Sequence, residues 1–158
     1  MLYLDFDGVL HPEDVYRRRG SSPYVKHPPG HVLFEHAELL TEILKPYPEL
    51  TIVLSTSWVR VFSFSRASKA LPPALQQRCI GATWHREMDR YLFEATPRGH
   101  QVLDDVERRR PIAWLAIDDD ATGWGSALDR HVVVTDPVLG ISEPTVLRRL
   151  NDALERFS

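Results

Sequence analysis

Apolar and polar positions along this chain fall into two alternating kinds of block. Short, nearly unbroken apolar runs occupy residues 2–6, 51–54, 111–117 and 131–135. Runs of that length with no polar face read as strands of a parallel sheet covered on both sides. Between them the spacing changes to a helical one. Leu33, Ala37, Leu40 and Leu44 make one apolar stripe over residues 31–45, which stops before Pro46 and Pro48. Thr96-Pro97-Arg98 predicts an N-cap, a proline at the first helical position and a helix running to about Arg109, with Val102 and Val106 facing inward. Residues 142–157 predict a closing helix with Val146, Leu150, Leu154 and Phe157 on one face. Strand followed by helix, repeated, predicts an α/β fold with a mainly parallel sheet. Two stretches are less regular. Residues 11–30 carry Pro12, Gly20, Pro23, Pro28, Pro29 and Gly30 and read as a projecting loop or hairpin. Residues 59–70 fit a helix broken by Leu71-Pro72-Pro73, and residues 79–83 a short edge strand.

Polar residues at the ends of these runs carry the chemistry. In Asp5-Phe6-Asp7-Gly8-Val9 the strand alternation turns Asp5 and Asp7 the same way and Phe6 the other. Two such carboxylates make half of a site for a hard cation such as Mg2+, which takes oxygen ligands and keeps waters for phosphate. The rival reading is an Asx turn or helix cap after a strand. A second apolar run ends in Asp118-Asp119-Asp120, and the 51–54 run ends in Ser55-Thr56-Ser57. In an open parallel sheet, ligands gather beyond the carboxyl ends of the strands, so these ends are expected to be neighbours. Carboxylates crowded there repel one another and call for a counter-ion.

Composition narrows the class. The chain has 158 residues, 43% hydrophobic and 26% charged, enough for one ordinary core, so residues 1–158 are expected to form one domain. A formal net charge of -3 argues against a strongly basic nucleic-acid binder. Cys79 is the only cysteine, which excludes an intrachain disulfide and points to a reducing compartment. No basic leader and no run of membrane-spanning length is present, so a cytoplasmic protein without a membrane partner is expected.

Taken in order, Asp5-Phe6-Asp7-Gly8-Val9, Ser55-Thr56-Ser57, Arg98 at a helix start and Asp118-Asp119 resemble the four motifs of haloacid dehalogenase-like (HAD) phosphohydrolases, over the whole chain. Thr56-Ser57-Trp58, residues 114–120 and the stretch from Thr135-Asp136-Pro137 to Gly140-Ile141 resemble more narrowly the HAD domains of Swiss Army Knife RNA repair proteins. The resemblance implies a three-layer α/β/α domain of strand order 3-2-1-4-5 without a large cap. It implies Asp5 as nucleophile and Asp7 as general acid and base, with Mg2+ held by Asp5, Asp7 and the Asp118-Asp119 pair, Asp119 as the favoured direct ligand and Asp118 holding a ligating water or Arg98. Thr56, with Ser55 as rival, and Arg98 would bind the phosphoryl group; the family often places lysine where Arg98 stands. An aspartate two residues after the nucleophile favours phosphate chemistry over carbon–halogen cleavage. The absence of a large lid favours a phosphate on a nucleic-acid end, a nucleotide or a phosphoprotein.

Arg17-Arg18-Arg19 in the projecting loop is expected either to meet such phosphates or to be solvated. Arg108-Arg109-Arg110 reads as complementing a helix carboxyl end. No histidine spacing marks a metal site, and Trp58, Trp84, Trp114 and Trp124 read as core or rim, with a place flanking the pocket as the alternative for Trp58 and Trp84. A receiver-like phospho-signalling domain and a catalytically silent interaction domain remain as alternatives. Oligomeric state has no signature in the sequence.

Overall fold

In the computed structural model, which describes residues 1–156, five strands run parallel: β1 (Leu2–Leu4), β4 (Ile52–Leu54), β5 (Cys79–Ala82), β6 (Leu115–Asp118) and β7 (Val132–Val134). Their spatial order is β5-β4-β1-β6-β7, the 3-2-1-4-5 arrangement implied by the resemblance. Phe157, expected on the closing helix, lies outside the described residues.

Alternation along the strands divides the core into two faces. Leu2, Leu4, Ile52, Leu54, Leu115 and Ile117 pack with α1 (Ala37–Leu44), α2 (Trp58–Phe62), α3 (Phe64–Lys69), α4 (Pro73–Gln76) and α8 (Pro144–Glu155). Tyr3, Val53, Ala116 and Val132 face the other way, onto Val102 of α6 (Arg98–Arg109) and onto Trp114 and Trp124. The result is a three-layer α/β/α domain with no large cap. Between β1 and α1 the chain forms an antiparallel hairpin, β2 (Asp14–Tyr16) and β3 (Tyr24–His27). No helix among the described residues is long and apolar enough to cross a membrane.

Register aligns the strand ends. Leu4 pairs with both Leu54 and Ile117, so Asp5 follows β1 at the level where Ser55 follows β4 and Asp118 ends β6. Backbone bonds extend the ladder one step further, from Ser55 N to Leu4 O and from Asp5 N to Ile117 O. All five carboxyl ends therefore share one edge.

Several element boundaries differ from the sequence reading. The expected helix over 59–70 is two helices, because Ser63 takes φ 105° and its hydroxyl accepts from Arg66 N, capping α3. Thr96 does not cap α6. It ends α5 (Arg90–Ala95), donating its hydroxyl to Leu92 O, while Pro97 is the residue before α6. The helix expected from residue 31 begins at Ala37, since Phe34 adopts a left-handed φ of 59° and the segment before α1 bonds to β1's loop through His36 N and Leu10 O. Residues 111–114 are not strand, and Ile112 is fully exposed.

Candidate active site

Asp5 is the first residue beyond β1, buried, with Oδ1 accepting from Phe6 N at 2.8 Å. Gly8 turns the chain at φ 72°, and a Cβ there would lie 2.3 Å from Asp119 Oδ2. The glycine is therefore needed twice, for the left-handed turn and for the approach of the β6 loop. Asp5, Asp118 and Asp119 each bring a carboxylate oxygen within 4.8 Å of the others.

Arg98 opens α6 and reaches across this cluster. Its Nη1 donates to Ser55 O at 2.5 Å, Nη2 to Asp5 Oδ2 at 3.4 Å, and Nε lies 3.4 Å from Asp118 Oδ2. The helix start is held there by a close backbone approach: Gly99 N donates to Thr122 O at 2.9 Å, and a Cβ on Gly99 would meet Gly123 C at 2.3 Å. Arg98 also lines a cleft of about 340 Å³ with Arg60, Glu94, Pro97, Asp120 and Thr122.

The electrostatics are unbalanced. Burial pushes the Asp5 carboxyl above its ordinary value, with Arg98 opposing and Asp7 adding to the rise. Asp118 is raised well above the usual range by burial and then by Asp5. Asp119 is pushed up to about 7 by burial, then by Asp5 and Glu13. Burial works against the charge of Arg98, but the surrounding aspartates outweigh it and keep the guanidinium protonated. Three crowded carboxylates with one arginine between two of them offer hard oxygen donors and surplus negative charge, which fits a hard divalent cation.

Asp7 stands apart from that cluster. Its Oδ1 accepts from Trp58 Nε1 and His11 Nε2, both at 2.9 Å. Of the four residues implied as ligands, three converge through their carboxylates, and the Asp7 carboxylate is turned to other partners. Thr56 is buried beside Asp5 and favours its charged form, and its hydroxyl accepts from Trp58 N at 3.4 Å. Ser55 contributes its carbonyl to Arg98, while its buried Oγ has no hydrogen-bond partner among the described residues. Asp120, the third acid of the trio, organises the loop: its N binds Asp118 Oδ1, and its Oδ1 takes both the N–H and the hydroxyl of Thr122.

Sequence reasoning assigned His11 no role and gave Trp58 as core, rim or the flank of a pocket, without a partner for its indole N–H. The only local signals were a histidine four residues after Asp7 and a tryptophan directly after the hydroxyl-rich strand end. Residues 1–146 match the family described as the HAD domain in Swiss Army Knife RNA repair proteins. No curated protein and no solved structure matches the chain.

Proposed function

The chain belongs to the family of HAD domains in Swiss Army Knife RNA repair proteins, and on that premise we propose that it is a Mg2+-dependent phosphatase working through a phosphorylated Asp5. Membership supports phosphohydrolase chemistry in an RNA repair setting. The observation that carries the finer reading is the meeting of Asp5, Asp118 and Asp119 with Arg98 at the carboxyl edge of the sheet.

In the first step an Asp5 carboxylate oxygen attacks phosphorus. The bond from phosphorus to the leaving oxygen breaks, its electron pair stays on that oxygen, and Asp7 supplies the proton. In the second step Asp7 takes a proton from water as the water oxygen attacks phosphorus. The phosphorus–Asp5 bond breaks, releasing inorganic phosphate and restoring both carboxyl groups. Proton transfer of this kind contributes typically ~10²–10⁴-fold. Arg98 holds Asp5 in place, and it and the Thr56 hydroxyl offer donors to the phosphoryl oxygens. A Mg2+ held by Asp5, Asp118 and Asp119 would neutralise the charge between an anionic nucleophile and an anionic phosphate. Phosphates on nucleic-acid ends or nucleotides are the substrate class favoured, because only the small β2–β3 hairpin, with Arg17, Arg18 and Arg19 just beyond β2, is inserted before α1.

Hydrolysis of p-nitrophenyl phosphate tests this reading. Release of phosphate should require Mg2+ and vanish in Asp5→Asn, and label from a ³²P-substrate should be trapped in a hydroxylamine-sensitive form on wild type only. Hydrolysis that survives both chelation and Asp5→Asn would overturn it.

A further inference from the structure

Asp7 carries two donors on one oxygen. The indole N–H of Trp58 can only donate. For His11 the role of Nε2 depends on the tautomer, and the other ring nitrogen decides it: Phe34 N donates to His11 Nδ1 at 3.0 Å. Nδ1 is therefore an acceptor, so the neutral ring carries its proton on Nε2 and donates it to Asp7 Oδ1. The ring has no room to turn over. His11 is fully buried, with Phe34 edge-on at 4.9 Å between centroids and Trp58 at 6.0 Å. Phe6 and Phe34 pack edge-on against each other and against Trp58, closing the cage.

Phe34 makes its donation from a left-handed φ of 59°, a conformation unfavourable for a residue with a Cβ. The surrounding aromatic packing holds it there. Asp7 Oδ2 receives no hydrogen bond from the described residues, and the side chain is 29% exposed.

We propose that His11 and Trp58 are positioning residues that pin Asp7 through Oδ1 and so confine its exchangeable proton to Oδ2, the oxygen that carries no donor. This rests on the phosphatase reading above. The Phe34 N–H, the His11 ring and the Asp7 carboxylate form one relay of orientation in which no member but Asp7 exchanges a proton with substrate. When the bond to the leaving oxygen breaks, the Oδ2 proton moves to that oxygen and leaves Asp7 a carboxylate. The attacking water then returns a proton to the same Oδ2. Both donors stay on Oδ1 throughout, so the carboxyl keeps one rotamer across the two steps.

A leaving-group comparison separates this role from a structural one. A p-nitrophenolate leaves with little need of a proton, whereas the alkoxide of 2-glycerophosphate needs one. Trp58→Phe, which keeps the ring and removes the N–H, and His11→Leu should each lower the alkyl-to-aryl ratio of kcat/KM at least about tenfold. His11→Gln, whose amide N–H takes the place of Nε2–H, should recover most of that ratio. Proportional losses on both substrates, with the ratio unchanged, would overturn the proposal. The ¹⁵N spectrum of wild-type protein reads the tautomer without any variant: a protonated Nε2 and bare Nδ1 on His11 are expected, and the reverse overturns the proposal in an active enzyme. Wild-type protein inert on both phosphates would instead overturn the phosphatase reading, and this role with it.

Discussion

Buried carboxylates meet one helix at two places along its length, and they are balanced differently. Asp105 on α6 is 0% exposed and meets three donors: Tyr3 OH at 2.9 Å, Arg109 Nε at 2.6 Å and Arg108 Nη2. The arginines come from the following turn, and Arg109 continues to Ala82 O on β5. This ties α6 to β1 and to the sheet edge with every charge answered. At the other end of the same helix, one arginine lies between Asp5 and Asp118 while Asp119 adds a third carboxylate. Burial of an acid does not by itself mark a functional site; burial without enough counter-charge does. The first arrangement is complete within the protein, and the second calls for a cation from outside.

The largest effect is expected from Asp5→Asn. Turnover of an aryl phosphate should fall below about 1% of wild type, as when a nucleophile is removed from a concerted site. In metal-free buffer the same change should leave the melting temperature unchanged or higher, because it removes one of the crowded charges. A variant that unfolds would show that Asp5 is balanced as fully as Asp105, and the contrast would fail.

Asp105→Asn should behave in the opposite way. It removes the charge that answers two arginines and turns one of the two acceptor oxygens into a donor, and because both arginines reach solvent the cost is expected at about 2–4 kcal/mol. Urea unfolding measures it, and activity per folded molecule should stay near wild type. A loss under about 0.5 kcal/mol would mean that the network contributes no more than a surface pair.

Added Mg2+ should stabilise the folded protein by about 2–3 kcal/mol at a hundredfold excess over its Kd, and the gain should disappear in Asp119→Ala. Its pH dependence has a definite sign. Asp119, pushed up to about 7 from its ordinary 3.8, binds a proton more tightly folded than unfolded. In metal-free protein its contribution to stability is complete below its ordinary value and is lost as pH rises through about 7. Mg2+ replaces that proton, so the rise in melting temperature should be larger at about pH 8 than at about pH 5. An equal rise at both would place the ion elsewhere.

The smallest effect concerns the hairpin. Arg17, Arg18 and Arg19 are exposed, with Arg17 stacked over the Phe62 ring at 5.0 Å, which directs the hairpin toward α2. Replacing all three by alanine should weaken use of phosphorylated oligonucleotides and spare an aryl phosphate. The log–log salt dependence should flatten by roughly 0.7 per lost contact on single strands. Equal losses on both substrates would return these residues to a solvated loop.

Much of the fold was legible because strand burial, alternation and strand-end residues are local. Leu2, Tyr3 and Leu4 announce β1, and the run through Ile117 announces β6, together with the carboxylates that follow them. Boundaries near Ser63, Thr96 and Phe34 were not legible, since a single backbone angle or a side-chain cap there overrides the periodic pattern. Among site residues, Asp5, Asp118, Asp119 and Arg98 stood at visible strand or helix ends. His11 did not, Trp58 stood beside one without showing its partner, and Asp105 with its arginines read as an ordinary helix end.

The chain alone determined which carboxylates stand at strand ends, because two-residue alternation and a glycine turn act within a few positions. Only the tertiary structure decided what faces each of them. Arg98 reaches Asp5 across 93 positions, Trp58 reaches Asp7 across 51, and Tyr3 reaches Asp105 across 102. Such contacts depend on register and helix docking, which are set by packing over the whole core and leave no local period in the sequence.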